Sequence, residues 1–161
     1  MKKTLQRIYK LLFNHYGHHE WWPGETPFEV MVGAILTQNT AWSNVEKAIT
    51  NLKQARVLPP RALHGLPEKK LARLIKPSGF FNVKAKRLRI FLDYFKVNYR
   101  YNIAAMKARP LTALRDELLN VSGIGRETAD SILLYALEKP TFVIDAYTKR
   151  ILSRHGLCDN K

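Results

Sequence analysis

VSGIGRETADSI, residues 121–132, sets two glycines two positions apart where an amphipathic helix is due to begin, and follows them with Arg126 and Glu127. Glycine inside a helix costs about 0.5–1 kcal/mol, so the pair marks a place where bare backbone is needed. On the N-terminal side Pro110 opens a helix through Leu119; on the other side Ala129, Ile132, Leu133 and Ala136 recur at helical spacing. Two helices joined by so short a turn leave the first amides of the second helix without an intrahelical acceptor. The helix dipole adds partial positive charge there, and a glycine lets an anion approach the backbone. The pattern predicts a phosphate site at Gly123 and Gly125, with Ile124 filling the space between the helices. A tight glycine-capped turn without a ligand would show the same spacing.

Working outward, the rest of the chain reads as helix after helix. TLQRIYKLLFNHY (4–16) puts Leu5, Ile8, Tyr9, Leu12 and Tyr16 on one face. Thr26-Pro27-Phe28-Glu29 forms a capping box with proline at the first helical position, opening a helix with Phe28, Met31, Val32 and Ile35 turned inward. Ser43 to Asn51 begins another, with Val45, Ile49 and Leu52 on one side. Pro59, Pro60 and Pro67 bound a short helix around Leu63, and LARLIK leads into the turn KPSGFFN. The longest helix is expected from Val83 to about Tyr99, with Ala85, Leu88, Phe91, Leu92 and Phe95 on its apolar face and Lys84, Lys86, Arg87 and Arg89 largely on a basic face. FVIDAYTKRILSRHG reads as a short extended piece turning into a helix at Asp145 and ending at Gly156. Strand-type alternation is almost absent, so the expected fold is all-α.

The 161 residues, 46% of them hydrophobic, are enough to bury a core. Twenty-seven Lys and Arg against thirteen Asp and Glu give a net charge of +14, which points to a polyanionic partner, nucleic acid first. A single cysteine, Cys158, excludes a disulfide framework and a cysteine-held zinc or iron–sulfur site within this chain. No run approaches the roughly 18 apolar residues of a membrane span, and the first helix is too polar for a signal peptide. Cytoplasmic residence follows as the expectation. His15, His18 and His19 lack a matching set of carboxylates or cysteines and read as surface residues, so no metal is expected.

Val121-Ser122-Gly123-Ile124-Gly125 between two amphipathic helices resembles the helix-hairpin-helix motif. Together with VIDAYTKRIL, GAILTQNTAW (33–42) and GFFNVKAKRL (79–88), it resembles the HhH-GPD superfamily of base-excision DNA glycosylases, endonuclease III-like proteins in particular, over most of the chain and in the expected order. The resemblance implies a helical barrel forming one lobe, chain ends contributing to a second, and a damaged nucleotide entering the cleft between them. It implies three segments: 1–20 in the second lobe, 21–138 as the barrel with the hairpin at 111–137, and 139–161 as the start of a C-terminal lobe. Relatives usually continue further and often carry four cysteines for a 4Fe-4S cluster. The chain is therefore expected to be truncated, with a cluster possible only in a longer form and no cofactor in this one.

The same resemblance assigns roles. Asp145 corresponds to the aspartate that assists glycosidic cleavage, where a carboxylate steadies the oxocarbenium character of the sugar or positions water. It could also simply cap its helix. Bifunctional members carry a lysine right after the hairpin arginine, whose amine forms a Schiff base with the sugar. Here Arg126 is followed by Glu127, which cannot form an imine, so base release without strand cleavage is implied. An acid in the first helical turn is favourable in any case.

Trp21, Trp22 and Pro23, with LTQNT and PSGFFN, resemble most closely the 3-methyladenine DNA glycosylase III branch. In that branch the tryptophan pair and an aromatic just past LTQNT, here Trp42, line the base pocket, and Pro23 and Glu127 are expected in the pocket with them. Core packing is the other reading of the tryptophan pair. Gln38 resembles the residue that fills the gap left by a flipped nucleotide. Gly123, Gly125, Arg126, Lys84 and Lys86, with Arg87 beside them, are the expected phosphate contacts.

The expected activity is that of a monomeric, monofunctional glycosylase acting on double-stranded DNA with a damaged base, an alkylated purine such as 3-methyladenine. The alternatives are an endonuclease III-like glycosylase/AP lyase for oxidised pyrimidines, and a helix-hairpin-helix DNA-binding fragment without chemistry.

Overall fold

The computed structural model describes residues 2–18 and 22–158. Among them every regular element is helical: α1 Lys2–Tyr16, α2 Pro27–Leu36, α3 Trp42–Gln54, α4 Pro60–Gly65, α5 Glu68–Leu74, α6 Phe81–Tyr99, α7 Ile103–Lys107, α8 Leu111–Leu119, α9 Arg126–Ser131 and α10 Ala146–Arg154. A 3₁₀ turn, Lys76–Ser78, precedes α6, and α9 runs on into a π-helical turn, Ile132–Ala136. None of these helices is long and apolar enough to cross a membrane.

The chain divides into two compact units, one formed by residues 24–143 and the other by residues 1–23 together with 144–161. The first unit holds the core. Its centre is α2, buried at every position from Phe28 to Leu36 and packed against α3, α6, α9 and the π turn. Half of the expected capping box starts it: Thr26 Oγ1 accepts from the amide of Glu29 at 3.2 Å. The Glu29 carboxylate reaches past the cap to the amide of Glu25 at 3.3 Å and pairs with Lys53 of α3 at 2.8 Å, tying the helix start to its neighbour.

The expected apolar face of α6 is buried, with Ala85, Leu88, Phe91, Leu92 and Phe95 all at 0% exposure. Phe91 and Phe95 stack on each other, and Phe95 stacks on Phe28 of α2. In this packing α6 is the second wall of the core, lying against α2, α4, α5 and α7.

The second unit contains α1 and α10. Its helices have the amphipathic spacing that the sequence predicts, but neither has a buried residue. Leu5, Tyr9, Leu12 and Tyr16 of the expected apolar face remain exposed, as do Tyr147 and Ile151 of α10. Periodicity marks which face is apolar; it does not supply a neighbour to cover it.

Candidate functional site

The glycine turn links α8 to α9. Val121 closes on α8 through its amide to Leu118 O at 3.1 Å, and Ile124 closes the turn through its amide to Val121 O at 3.0 Å. Val121 and Ile124 are 6% and 5% exposed, so the turn is anchored by its apolar residues while Ser122, Gly125, Arg126 and Glu127 face solvent. Gly123 has φ +91°, a conformation that disfavours a side chain, and Gly125 caps α9 with φ −89°. A Cβ at Gly125 would meet nothing within 4 Å, so this face of the turn is open to an approaching ligand. The two hairpin helices are braced by a bidentate pair: Arg115 of α8 donates Nε to Asp130 Oδ1 at 2.7 Å and a terminal nitrogen to Oδ2 at 3.0 Å. Asp130 is 6% exposed, a buried acid that sequence reading passed over.

Gln38, just past the end of α2, is drawn to this turn. Its Nε2 donates to Gly123 O at 3.0 Å and to Thr128 Oγ1 at 2.9 Å, and its Oε1 accepts from Arg87 of α6. The structure thus brings together Gln38, Gly123 and Arg87, which lie far apart in sequence.

Lys84 corrects the expectation of a phosphate contact. It is 1% exposed, and its Nζ donates to Leu36 O at 2.8 Å and Ser78 O at 2.5 Å, so no ammonium faces outward at this position. Burial first, and then the charge of Arg87, hold the Lys84 ammonium below its usual range. The spacing of α6 counted a lysine as surface, but a long stem can carry its charge inward when carbonyls wait at the end. Lys86 and Arg126 are exposed.

Lys84 also bridges two segments: Leu36 O lies at the end of α2, before the half-buried Gln38, and Ser78 O lies before the exposed Phe80. Phe80 is 70% exposed and has φ +42°, left-handed backbone for a bulky aromatic. The sequence pattern alone assigns Phe80 no role. The available signal was Pro77-Ser78-Gly79 followed by two aromatics, with Gly79 at φ +67°.

The remaining expected site residues are placed as follows. Asp145 is the N-cap of α10, its Oδ1 accepting from the amide of Thr148 at 2.7 Å, in the unit formed by the chain ends. In the same unit Trp22 is half-buried and Pro23 exposed. Trp42 opens α3 and is half-buried, and Glu127 stands in the exposed first turn of α9. Trp21 and His19 lie outside the described residues.

For a 4Fe-4S cluster, four thiolates would be needed, and the sequence has only the exposed Cys158. This chain's own residues do not fit such a cluster. Among the described residues no group of three or more His, Cys, Asp or Glu could hold a metal ion.

Comparison with known proteins adds an independent observation. A family model described as HhH-GPD superfamily base excision DNA repair protein matches residues 32–161. A Methanocaldococcus jannaschii protein with the provisional name DNA repair glycosylase is 51% identical over 99% of this chain, which spans 73% of that relative. Endonuclease III of Thermotoga maritima is 31% identical over 81% of this chain, which spans 57% of it. Among solved structures, the H. pylori 3-methyladenine DNA glycosylase MagIII bound to 1,N6-ethenoadenine superposes with a TM-score of 0.84 and 32% identity, covering 99% of this chain and 75% of that one.

Proposed function

Because the chain belongs to the HhH-GPD superfamily of base excision DNA repair proteins, we propose that it is a DNA glycosylase that hydrolyses the N-glycosidic bond of a flipped, alkylated purine such as 3-methyladenine and leaves the strand uncut. The observation that carries this reading is its likeness, over nearly its whole length, to a 3-methyladenine glycosylase structure that holds 1,N6-ethenoadenine.

In this reading the turn at Gly123 and Gly125 grips a backbone phosphate through main-chain amides, with Arg126 and Lys86 adding charge from exposed positions. Phe80, exposed and held in left-handed backbone, is suited to wedge between bases, and Gln38 fills the place of the flipped nucleotide. The base-pocket roles fall, by the resemblance and each taken singly, to Trp21, Trp22, Pro23, Trp42 and Glu127. A 3-alkylated adenine is cationic, and each well-placed aromatic ring contributes about 0.5–2 kcal/mol to holding it. That cation is already a good leaving group, so little acid catalysis is required. As the bond to C1′ lengthens, Asp145 opposes the growing positive charge on the sugar or orients the attacking water. The attacking water passes one proton to the Asp145 carboxylate and on to solvent while its oxygen stays on C1′; the cationic base departs neutral, taking the electron pair of the broken bond. Glu127 stands directly after Arg126, and a carboxylate offers no amine for a covalent imine.

The test is single-turnover release of 3-methyladenine from methylated duplex, by wild type and by Asp145→Asn. Asparagine caps a helix about as well as aspartate, so the variant keeps its fold while release falls about 100-fold or more. Failure of the folded wild type to release any base overturns the proposal. The likeness to endonuclease III supports a second reading, a glycosylase/AP lyase for oxidised pyrimidines. It requires a borohydride-trapped protein–DNA adduct, and none is expected.

A further inference from the structure

Arg87, expected from the sequence beside the phosphate contacts, is half-buried and instead turns its guanidinium to Gln38, touching both of the segments assigned to DNA. It lies on α6 one turn beyond Lys84. Its guanidinium donates to Gln38 Oε1, and its stem lies across the glycine turn: a Cβ placed on Gly123 would stand 2.5 Å from Arg87 Cγ and 2.9 Å from Cδ. Gly123 is therefore constrained twice, by its own φ of +91° and by the arginine stem laid over it.

The chemistry of the partners fixes the orientation of the glutamine. A guanidinium has only donors and a peptide carbonyl only accepts, so Gln38 can satisfy both only with Oε1 toward Arg87 and Nε2 toward Gly123 O. Thr128 Oγ1 accepts from the same Nε2 at 2.9 Å. Both ends of the amide are thus in use within the protein. Both Nε2 donors are committed, whereas Oε1 keeps a second lone pair, so Gln38 can accept from an unpaired base opposite the lesion without giving up a bond, and Arg87 sets which end of the amide is presented.

We propose that Arg87 is a positioning residue: it orients the Gln38 amide and couples the loop that fills the vacated nucleotide position to the turn that grips the backbone, so that the opposite base is read with one amide orientation. This rests on the glycosylase reading for the DNA-facing roles of Gln38 and Gly123. The expected signature is discrimination among opposite bases rather than overall DNA affinity.

The experiment measures the affinity of the full chain for duplexes carrying a stable abasic analogue opposite each of the four bases, and for undamaged duplex. Arg87→Met keeps an aliphatic stem over Gly123 and removes the donor to Gln38. Its affinity for the abasic duplexes should fall by about tenfold, the size of one charge-assisted hydrogen bond, with the dependence on the opposite base flattened and undamaged duplex bound as by wild type. Arg87→Lys, which keeps a charged donor, should restore the discrimination. The double variant Arg87→Met/Gln38→Ala should be no weaker than Gln38→Ala alone, because both remove one interaction.

Equal loss on abasic and undamaged duplexes makes Arg87 an ordinary phosphate contact and overturns the inference, as do losses that add in the double variant. If Arg87→Met does not fold, the comparison of Arg87→Lys with wild type carries the test, and unaltered discrimination in Gln38→Ala overturns it. Wild-type release of 3-methyladenine is scored separately, so the inference can fail while the proposed activity stands.

Discussion

Gly123 and Gly125 sit two apart in one turn, and a methyl group added to each would meet different surroundings. At Gly123 it would strike the Arg87 stem in a left-handed backbone; at Gly125 it would enter open space at an ordinary φ. Gly123→Ala should therefore destabilise the fold by about 1–3 kcal/mol, read as a lowered Tm. Gly125→Ala should melt close to wild type but bind duplex DNA more weakly, because its methyl group stands on the open side where a phosphate would approach. Equal melting of the two variants would contradict this division. At this scale the sequence was informative about the glycines and misleading about Lys84. Two glycines two apart announce a backbone constraint locally, whereas the partners of Lys84, Leu36 O and Ser78 O, are brought to it by folding. The same holds for Gln38, whose partners at Gly123 and Thr128 lie in the hairpin.

Among the elements, α8 does more than lead into the turn. Glu117 on it accepts from Tyr99 and from Tyr94 at 3.1 Å, and pairs with Arg109 at 2.6 Å, joining α8 to the end of α6. Burial alone would raise the Glu117 carboxyl, but the hydrogen bonds from Tyr99, Arg109 and Tyr94, aided by the Arg109 charge, bring it below its ordinary 4.5. Since the folded value is the lower one, the associated stability is fully present above 4.5 and disappears as pH falls through the folded value. Glu117→Gln should lose about 1–2 kcal/mol at neutral pH, and the gap to wild type should close in melts taken at progressively lower pH below 4.5. A gap that persists in acid would remove this account. Helix positions were legible in the sequence because periodicity, prolines and caps are local; the short α7 and the 3₁₀ turn before α6 had too few residues to show a period. The apolar row of α1 was equally legible, but its exposure could not be, since burial depends on what packs against it.

For the whole molecule, the excess of +14 gives an expectation that no single residue does. Duplex affinity should fall steeply between about 50 and 200 mM salt, with a slope of log K against log salt near 0.9 per phosphate neutralised. Lys86→Ala, at an exposed position, should reduce that slope by about one, whereas Lys84→Met, if folded, should leave it unchanged because its ammonium is turned inward. Identical slopes for the two variants would contradict the assignment of Lys86 to phosphate. The all-helical class and the hairpin were legible in the sequence because many local signals agreed along the chain. The coupling of α6 to the turn was not, since it depends on a contact between Arg87 and Gly123. The enclosure of α2 from Phe28 to Leu36 also has a consequence in time. In deuterated water the amides of α1, which has no buried residue, should exchange by local fraying, while those of α2 should wait for the surrounding unit to unfold globally. Gln38 thus hangs from the slowest-exchanging segment of the chain, its amide tethered at both ends above a nearly immobile mount.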